Sequence, residues 1–218
     1  MKQLFTTLVA FFLLTTTKAQ KGLVPAQYQS IAEAYGDLNK DGIEEKVVVY
    51  NVKEQEEEMN GIDRELIIFR RVAGAWTIWQ RSLKAVGNSR DGGMMGDPFQ
   101  EVEVKNGVLL ITEAGGSSWK WGHTDKYRYQ NGSFELIGYN NNYGKLCEYW
   151  ADFDFNIMTG KIVFTKEYES CEEEGEQVVS KRENETFTYR LQKKITLQNR
   201  KDAEVQIISP KYKHELYL

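Results

Sequence analysis

Oxygen-bearing side chains recur at alternate positions from Asp37 onward: Asp37, Asn39 and Asp41, with Glu45 four residues further on. Counted as loop positions these are one, three, five and nine, and the backbone carbonyl of Ile43 falls at seven. A hard cation such as Ca2+ takes several oxygens at adaptable geometry, which this spacing supplies. Gly42 stands where such a loop turns sharply, and only glycine adopts positive φ there without steric cost. The stretch reads as a calcium loop feeding a strand, the alternative being an Asx-rich turn that binds nothing.

Position twelve separates two kinds of calcium loop. An EF-hand places a bidentate Glu there and continues as a helix. Here position twelve is Val48, inside the β-branched run Lys46-Val47-Val48-Val49-Tyr50. The run Gly36-Asp37-Leu38-Asn39-Lys40-Asp41-Gly42, followed by acid and a Val-rich strand, instead resembles the calcium loop of FG-GAP and VCBS-type repeats, found between strands of integrin-α-like propellers. The resemblance covers about 15 residues. It implies metal ligation by Asp37, Asn39, Asp41, Ile43 (through its carbonyl) and Glu45, and no activity.

A second group with possible chemistry is Trp119, Trp121 and His123. On a strand these share one face with Tyr127 and Tyr129. Such a row either stacks sugar rings or fills a core. We carry Trp119, Trp121 and His123 as candidate ligand-binding residues; His123 is either a ligand or acid–base group or a packed histidine. No Gly-x-Ser-x-Gly, His-Glu-x-x-His or Cys/His constellation is present, so no catalytic residue is assigned. Glu113 with Asp152 or Asp154 is a formal carboxylate pair for a glycosidase, but no spacing singles it out.

The elements that must position these groups are β-strands. Lys105-Asn106-Gly107-Val108 and Gln130-Asn131-Gly132-Ser133 are primed two-residue turns. They predict the pairs Val104–Leu109, Val102–Ile111, Tyr129–Phe134 and Tyr127–Leu136, with Arg128 facing Glu135 outside. Strands are also expected over 46–52, 65–72, 75–81, 149–157, 161–169, 178–191, 194–197 and 205–208. Residues 26–35, after Pro25, are expected to form a short helix of a turn or two, a strand being the alternative. Residues 84–98, with Gly87, Gly92, Gly93 and Gly96, form a long glycine-rich loop. Residues 53–63 and 171–176 are acidic connections. The expected fold is mainly β, with antiparallel hairpins forming a compact sandwich or a small propeller-like domain and one N-terminal helix.

Residues 1–19 read as a secretory signal: Lys2, a short apolar stretch over 4–14, and Thr17-Lys18-Ala19 before the cut. That leaves one β-rich domain over 20–218. The net charge of −4 becomes −6 without Lys2 and Lys18, which disfavours nucleic acid or an anionic membrane as partner. No later stretch is apolar enough to span a bilayer. The chain has 2 Cys, Cys147 and Cys171, expected to form one disulfide in an exported protein. A three-residue hairpin loop at 158–160 would bring them opposite one another. Together these readings describe a periplasmic or extracellular, calcium-stabilised, non-catalytic β-domain that binds a glycan or a protein. The alternatives are a secreted carboxylate-dependent glycoside hydrolase and a purely structural exported protein. Oligomeric state is not readable.

Overall fold

Alternating apolar and polar residues make a strand wet on one face, and short primed turns make consecutive strands antiparallel neighbours. Both rules operate through most of this chain. The structure, a computed structural model, describes residues 22–53, 60–171 and 177–218. Residues 1–21, which include the expected signal over 1–19, and the acidic residues 54–59 and 172–176 lie outside them.

Strands β1 (Gln29–Gly36), β2 (Glu45–Asn51), β3 (Arg64–Val72) and β4 (Ala75–Ser82) form a four-stranded sheet in chain order. Strands β5 (Phe99–Lys105), β6 (Val108–Gly116), β7 (Lys120–Gln130), β8 (Ser133–Lys145), β9 (Tyr149–Asn156), β10 (Lys161–Cys171) and β11 (Gln177–Thr188) form one seven-stranded meander. Strands β12 (Gln206–Ile208) and β13 (Glu215–Tyr217) make a terminal hairpin. Among the described residues every strand pairing is antiparallel and the sheets form no closed barrel.

The described residues contain no α-helix. The helix expected over 26–35 is a correction: β1 occupies most of it and pairs with β2, Gly36 opposite Glu45. The Val-rich β2 next door supplies a ladder that a short isolated helix cannot match. The 37–45 loop is therefore a hairpin connection. The expected strand at 194–197 shrinks to a single bridge, Glu135 to Thr196.

The Asn-Gly hairpins pair as expected, with Val104 opposite Leu109 and Tyr129 opposite Phe134. Asn106 and Asn131 take φ 53°, as primed turns require. The β9–β10 hairpin differs by one residue. Its loop is four residues, 157–160, so Asn156 rather than Ile157 faces Lys161. Gly160 N–H donates to Asn156 O (2.8 Å), and Ile157 leaves the ladder to donate to Ile137 O (3.0 Å). A one-residue slip exchanges faces, so Ile162 and Phe164 point inward beside Phe153 and Phe155, and Val163 points out. Cys147 and Cys171 still bond, with Cα atoms 5.1 Å apart, because Cys147 sits in the turn before β9 rather than on the ladder.

The seven-stranded sheet buries one face throughout, under two different covers. Val47, Val49, Leu66 and Ile68 of the four-stranded sheet pack with Val102, Leu109, Ile111, Tyr127 and Leu136 of β5–β8. Ile207 and Leu216 of the terminal hairpin pack on Phe153, Phe155, Ile162 and Phe164 of β9 and β10. β2 has no wet face because Val48 and Tyr50 enter a third cluster with Ile67 and Phe69, flanked by Val24 and Tyr28.

The terminal hairpin is also held by charge. His214 Nε2 lies 2.6 Å from Glu183 of β11, which Lys181 also contacts at 2.5 Å. Burial pushes the Glu183 carboxyl up, but the Lys181 and His214 contacts more than offset this and hold it at about 2. Its stabilising effect is present above the ordinary carboxylate value of 4.5 and is lost as pH falls toward 2. We expect urea-unfolding stability to fall more steeply between pH 4.5 and 2 in the wild type than in Glu183→Gln. Parallel pH profiles for the two proteins would remove Glu183 from this role.

Candidate functional site

Inner-face residues of the seven-stranded sheet form rows across the strands. One row is Glu113, His123, Asn141, Phe153, Phe164 and Glu185; the next is Gly115, Trp121, Tyr143, Ala151, Lys166 and Glu183. Polar side chains at these positions interrupt the apolar parity of Leu109 and Ile111 on β6 and of Tyr127 on β7. They line two adjoining pockets.

The first pocket, about 250 Å³, is lined by Glu113, Trp121, His123, Asp125 and Arg200, together with Gly87 and Asp91 of the glycine-rich loop. His123 Nε2 lies 3.5 Å from Glu113 Oε2, and Gly87 N–H donates to Glu113 Oε1 at 2.7 Å. Trp121 stacks on the His123 ring (centroids 5.6 Å, 16° between planes), and Tyr139 lies 5.7 Å away on the other side. Arg200, on a 3₁₀ turn (Arg200–Asp202), donates from Nε to Asp125 Oδ2 at 2.6 Å. Tyr127 OH donates to the same oxygen at 2.8 Å. Burial lowers the Arg200 guanidinium, yet the adjacent Asp125 charge holds it above its usual range. Burial, then the Asp125 charge, pushes the Tyr127 phenol up. Asp125 is 2% exposed, and its buried Oδ1 has no hydrogen-bond partner among the described residues.

The second pocket, about 400 Å³, is lined by Asn141, Tyr143, Tyr149, Lys166, His214 and Tyr217 among others. Asn141 Nδ2 donates to Tyr139 OH at 2.9 Å, while the buried Asn141 Oδ1 has no partner among the described residues. Burial pushes the Tyr139 and Tyr143 phenols up to about 12, so both remain hydroxyls at any ordinary pH.

The structure divides the three aromatic candidates. Trp121 and His123 line the first pocket. Trp119 precedes β7, is 42% exposed and lines neither pocket; it packs against Tyr149 (5.0 Å), with Lys145 over its ring. Tyr127 is core. Glu113 is not paired with Asp152 or Asp154: those two accept from Asn142 and Asn140 on the outer face, the opposite side of the sheet. Sequence reasoning missed Asp125, Asn141, Lys166 and Arg200. For the three on strands the available signal was a polar residue at a buried parity position. Arg200 lies in an irregular segment and had none.

The glycine-rich loop is docked on the sheet. Ala85 and Val86 enter the core. Ala114 N–H donates to Pro98 O and Gly116 N–H to Gly92 O, both at 2.8 Å. Arg64, 2% exposed, grips Asp97 with both terminal nitrogens. Gly92 and Gly115 approach closely enough that a Cβ on Gly115 would lie 2.7 Å from the Gly92 Cα.

The 37–45 loop is separate from both pockets. Asp37 accepts from Asp41 N (3.1 Å) and Gly42 N (2.8 Å), Asn39 Oδ1 from Asp41 N (2.8 Å), and Asp41 from Ile43 N (2.8 Å). Glu45 is 1% exposed and accepts from Leu38 N at 2.8 Å. Asn39 Nδ2 donates to both Asp41 (2.9 Å) and Glu45 (3.3 Å). Burial pushes the Glu45 carboxyl up, the Leu38 N–H opposes this, and the Asp41 and Asp37 charges add to it. Among the described residues no three His, Cys, Asp or Glu side chains are gathered closely enough to hold a metal ion. The donor types still suit a hard cation: the loop carries three carboxylates, two of which, Asp41 and the buried Glu45, share the Asn39 amide as donor. No protein-family model, curated protein or solved structure matches this chain.

The Asp125–Arg200 pair gives a direct stability test. Arg200→Met leaves a buried carboxylate without its cation, a loss of about 3–5 kcal/mol. Adding Asp125→Asn should recover part of it. Urea unfolding of the single and double variants checks this, and a single-variant loss below about 1 kcal/mol would be inconsistent with a buried pair.

Proposed function

We propose that the protein is an exported, calcium-stabilised β-sandwich domain that binds a glycan without cleaving it, in the two adjoining pockets on the inner face of its large sheet. The observation that carries this reading is the pair of buried acceptors left without donors, Asp125 Oδ1 and Asn141 Oδ1, beside aromatic ring faces. Buried polar atoms are normally satisfied. Sugar hydroxyls donate hydrogen bonds, and the C–H face of a pyranose packs on aromatic rings, so a saccharide meets both requirements at once. Trp121 in the first pocket and Tyr143 and Tyr149 in the second supply the rings. Export is supported by the disulfide and by the signal-like residues 1–19. Among the described residues no helix is long and apolar enough to cross a membrane.

In this reading Asp37, Asn39, Asp41, Glu45 and the Ile43 carbonyl hold Ca2+ as a structural ion. The ion would supply the positive charge that the loop carboxylates lack. Leu38, 1% exposed within the loop, joins the main core, so ordering the loop stabilises the domain.

One observation favours a second reading, a glycoside hydrolase. A Cβ on Gly87 would lie 2.8 Å from Glu113 Oε1 and 3.3 Å from Asp91 Oδ2, so two carboxylates converge in the first pocket. Two carboxylates across a cleft are what that chemistry needs. Reducing-sugar release that disappears in Glu113→Gln would establish it in place of simple binding.

Two measurements test the principal reading. In calorimetric titration against neutral and acidic oligosaccharides, Trp121→Ala should weaken binding about tenfold, the effect of about 1.4 kcal/mol of lost ring contact. Unchanged affinity would remove the pocket from the function. Extracellular calcium sites have Kd of about 10⁻⁴–10⁻³ M, so about 10 mM calcium adds about 1.4–2.7 kcal/mol, or about 3–10 °C in Tm. EDTA should remove that gain, and Asp41→Ala should melt alike with calcium and with EDTA. Identical wild-type melting in both conditions defeats the calcium assignment.

A further inference from the structure

Lys166 sits at an inner-face position of β10 and is 8% exposed. A buried ammonium is normally paired. Here, among the described residues, no carboxylate lies within ion-pair distance and no hydrogen bond from Nζ is formed. Its cross-strand neighbour Glu183 is engaged by Lys181 and His214. What remains for Nζ is the face of Tyr149, 3.6 Å from the ring centroid, and that of Tyr168 at 4.8 Å. Burial holds the ammonium below its usual range, and the Glu183 charge only partly opposes this. The uncompensated cation lines the same pocket as the unpartnered Asn141 Oδ1.

The geometry points to an acidic saccharide as the ligand: a singly charged substituent, carboxylate or sulfate ester, binds Lys166, while a neighbouring hydroxyl donates to Asn141 Oδ1. This rests on the glycan reading above and narrows it. Among the described residues the pocket contains one ammonium, Lys166, with no carboxylate at ion-pair distance and one acceptor, Asn141 Oδ1, without a donor; the carboxylate that also lines it, Glu215, accepts from Tyr217 OH. A sugar ring bearing an anionic group next to a hydroxyl supplies both. Tyr149 and Tyr143, 6.0 Å apart and edge to face, border the same space and provide the apolar wall. Lysine is a compact point charge suited to one anionic oxygen group, without the planar fork by which arginine selects bidentate partners.

The test is calorimetric titration of the disulfide-bonded protein in calcium with matched pairs: oligogalacturonate and its methyl ester, hyaluronan oligosaccharide and its carboxyl-reduced form, and carrageenan oligosaccharide and its desulfated form. We expect the charged member of at least one pair to bind at least tenfold more tightly than its neutral partner. Which pair responds separates carboxylate from sulfate. Lys166→Met should abolish the difference while circular dichroism and melting confirm folding. Asn141→Asp, which sets a negative charge beside the pocket, should weaken the charged member about tenfold and spare the neutral one; it also serves if Lys166→Met does not fold. Equal binding of charged and neutral members overturns the inference and leaves the glycan reading standing. A charge preference that survives in Lys166→Met, or in Asn141→Asp, also overturns it. No binding by any member overturns both.

Discussion

A seven-stranded antiparallel sheet with alternating side chains must cover one face along its whole width, and in this chain that face meets two different covers. The four-stranded sheet packs over β5–β8, and the terminal β12–β13 hairpin packs over β9–β11. Each cover brings apolar residues to apolar cross-strand pairs such as Leu109–Tyr127 and Phe155–Ile162. Toward one end of the strands the rows change to Glu113–His123–Asn141 and Trp121–Tyr143–Lys166, and the pockets lie there. The site is thus a consequence of how the inner face is covered. The sheet provides a base on which polar groups are fixed in register; the docked 84–98 loop and the Arg200 turn wall the first pocket, and the terminal hairpin walls the second.

Electrostatics within this strip follows from burial. Asp125 and Arg200 compensate each other, and Arg200 arrives from a turn more than seventy residues away in the chain. Glu183 is compensated twice, by Lys181 and His214, and this fastens the terminal hairpin to β11. Lys166, Asp125 Oδ1 and Asn141 Oδ1 stand apart: among the described residues Lys166 has no carboxylate at ion-pair distance and lies over ring faces, and the two oxygens have no donor. In a medium of low polarity an unmatched charge or acceptor is costly. Ligand recognition gives a reason for retaining them.

The 37–45 loop obeys a different constraint. It closes β1 onto β2, seats Leu38 in the core, and buries the Glu45 carboxylate against one backbone N–H. Gly36 lies so close to β5 that a Cβ would come within 2.5 Å of Val104 Cγ1, so the loop is set against the neighbouring sheet. Its carboxylates are held by its own backbone, which orders the loop but leaves its negative charge unbalanced.

Much of the fold was legible in local chemistry. Asn106-Gly107 and Asn131-Gly132 specify their turns and thereby two hairpin registers, because those turns require positive φ that few other residues adopt. The Cys147–Cys171 bond was also legible, although the register used to reach it was one residue out: nothing local distinguishes a three-residue from a four-residue loop around Gly160, and the choice was made by Ile157 packing between the two cores. Residues 26–35 have weak helical character and became a strand because β2 lay beside them. Of the site, Trp121 and His123 were visible as an aromatic face. Asp125, Asn141 and Lys166 looked like ordinary strand residues, and Arg200 like a loop residue. By itself the sequence determined which residues alternate, where the chain turns and which loop carries the acidic oxygens, since these depend on neighbours a few positions apart. Only the tertiary structure decided which polar residues are buried together and which lack partners, since that depends on which sheet covers which row, a choice made by contacts distant in the chain.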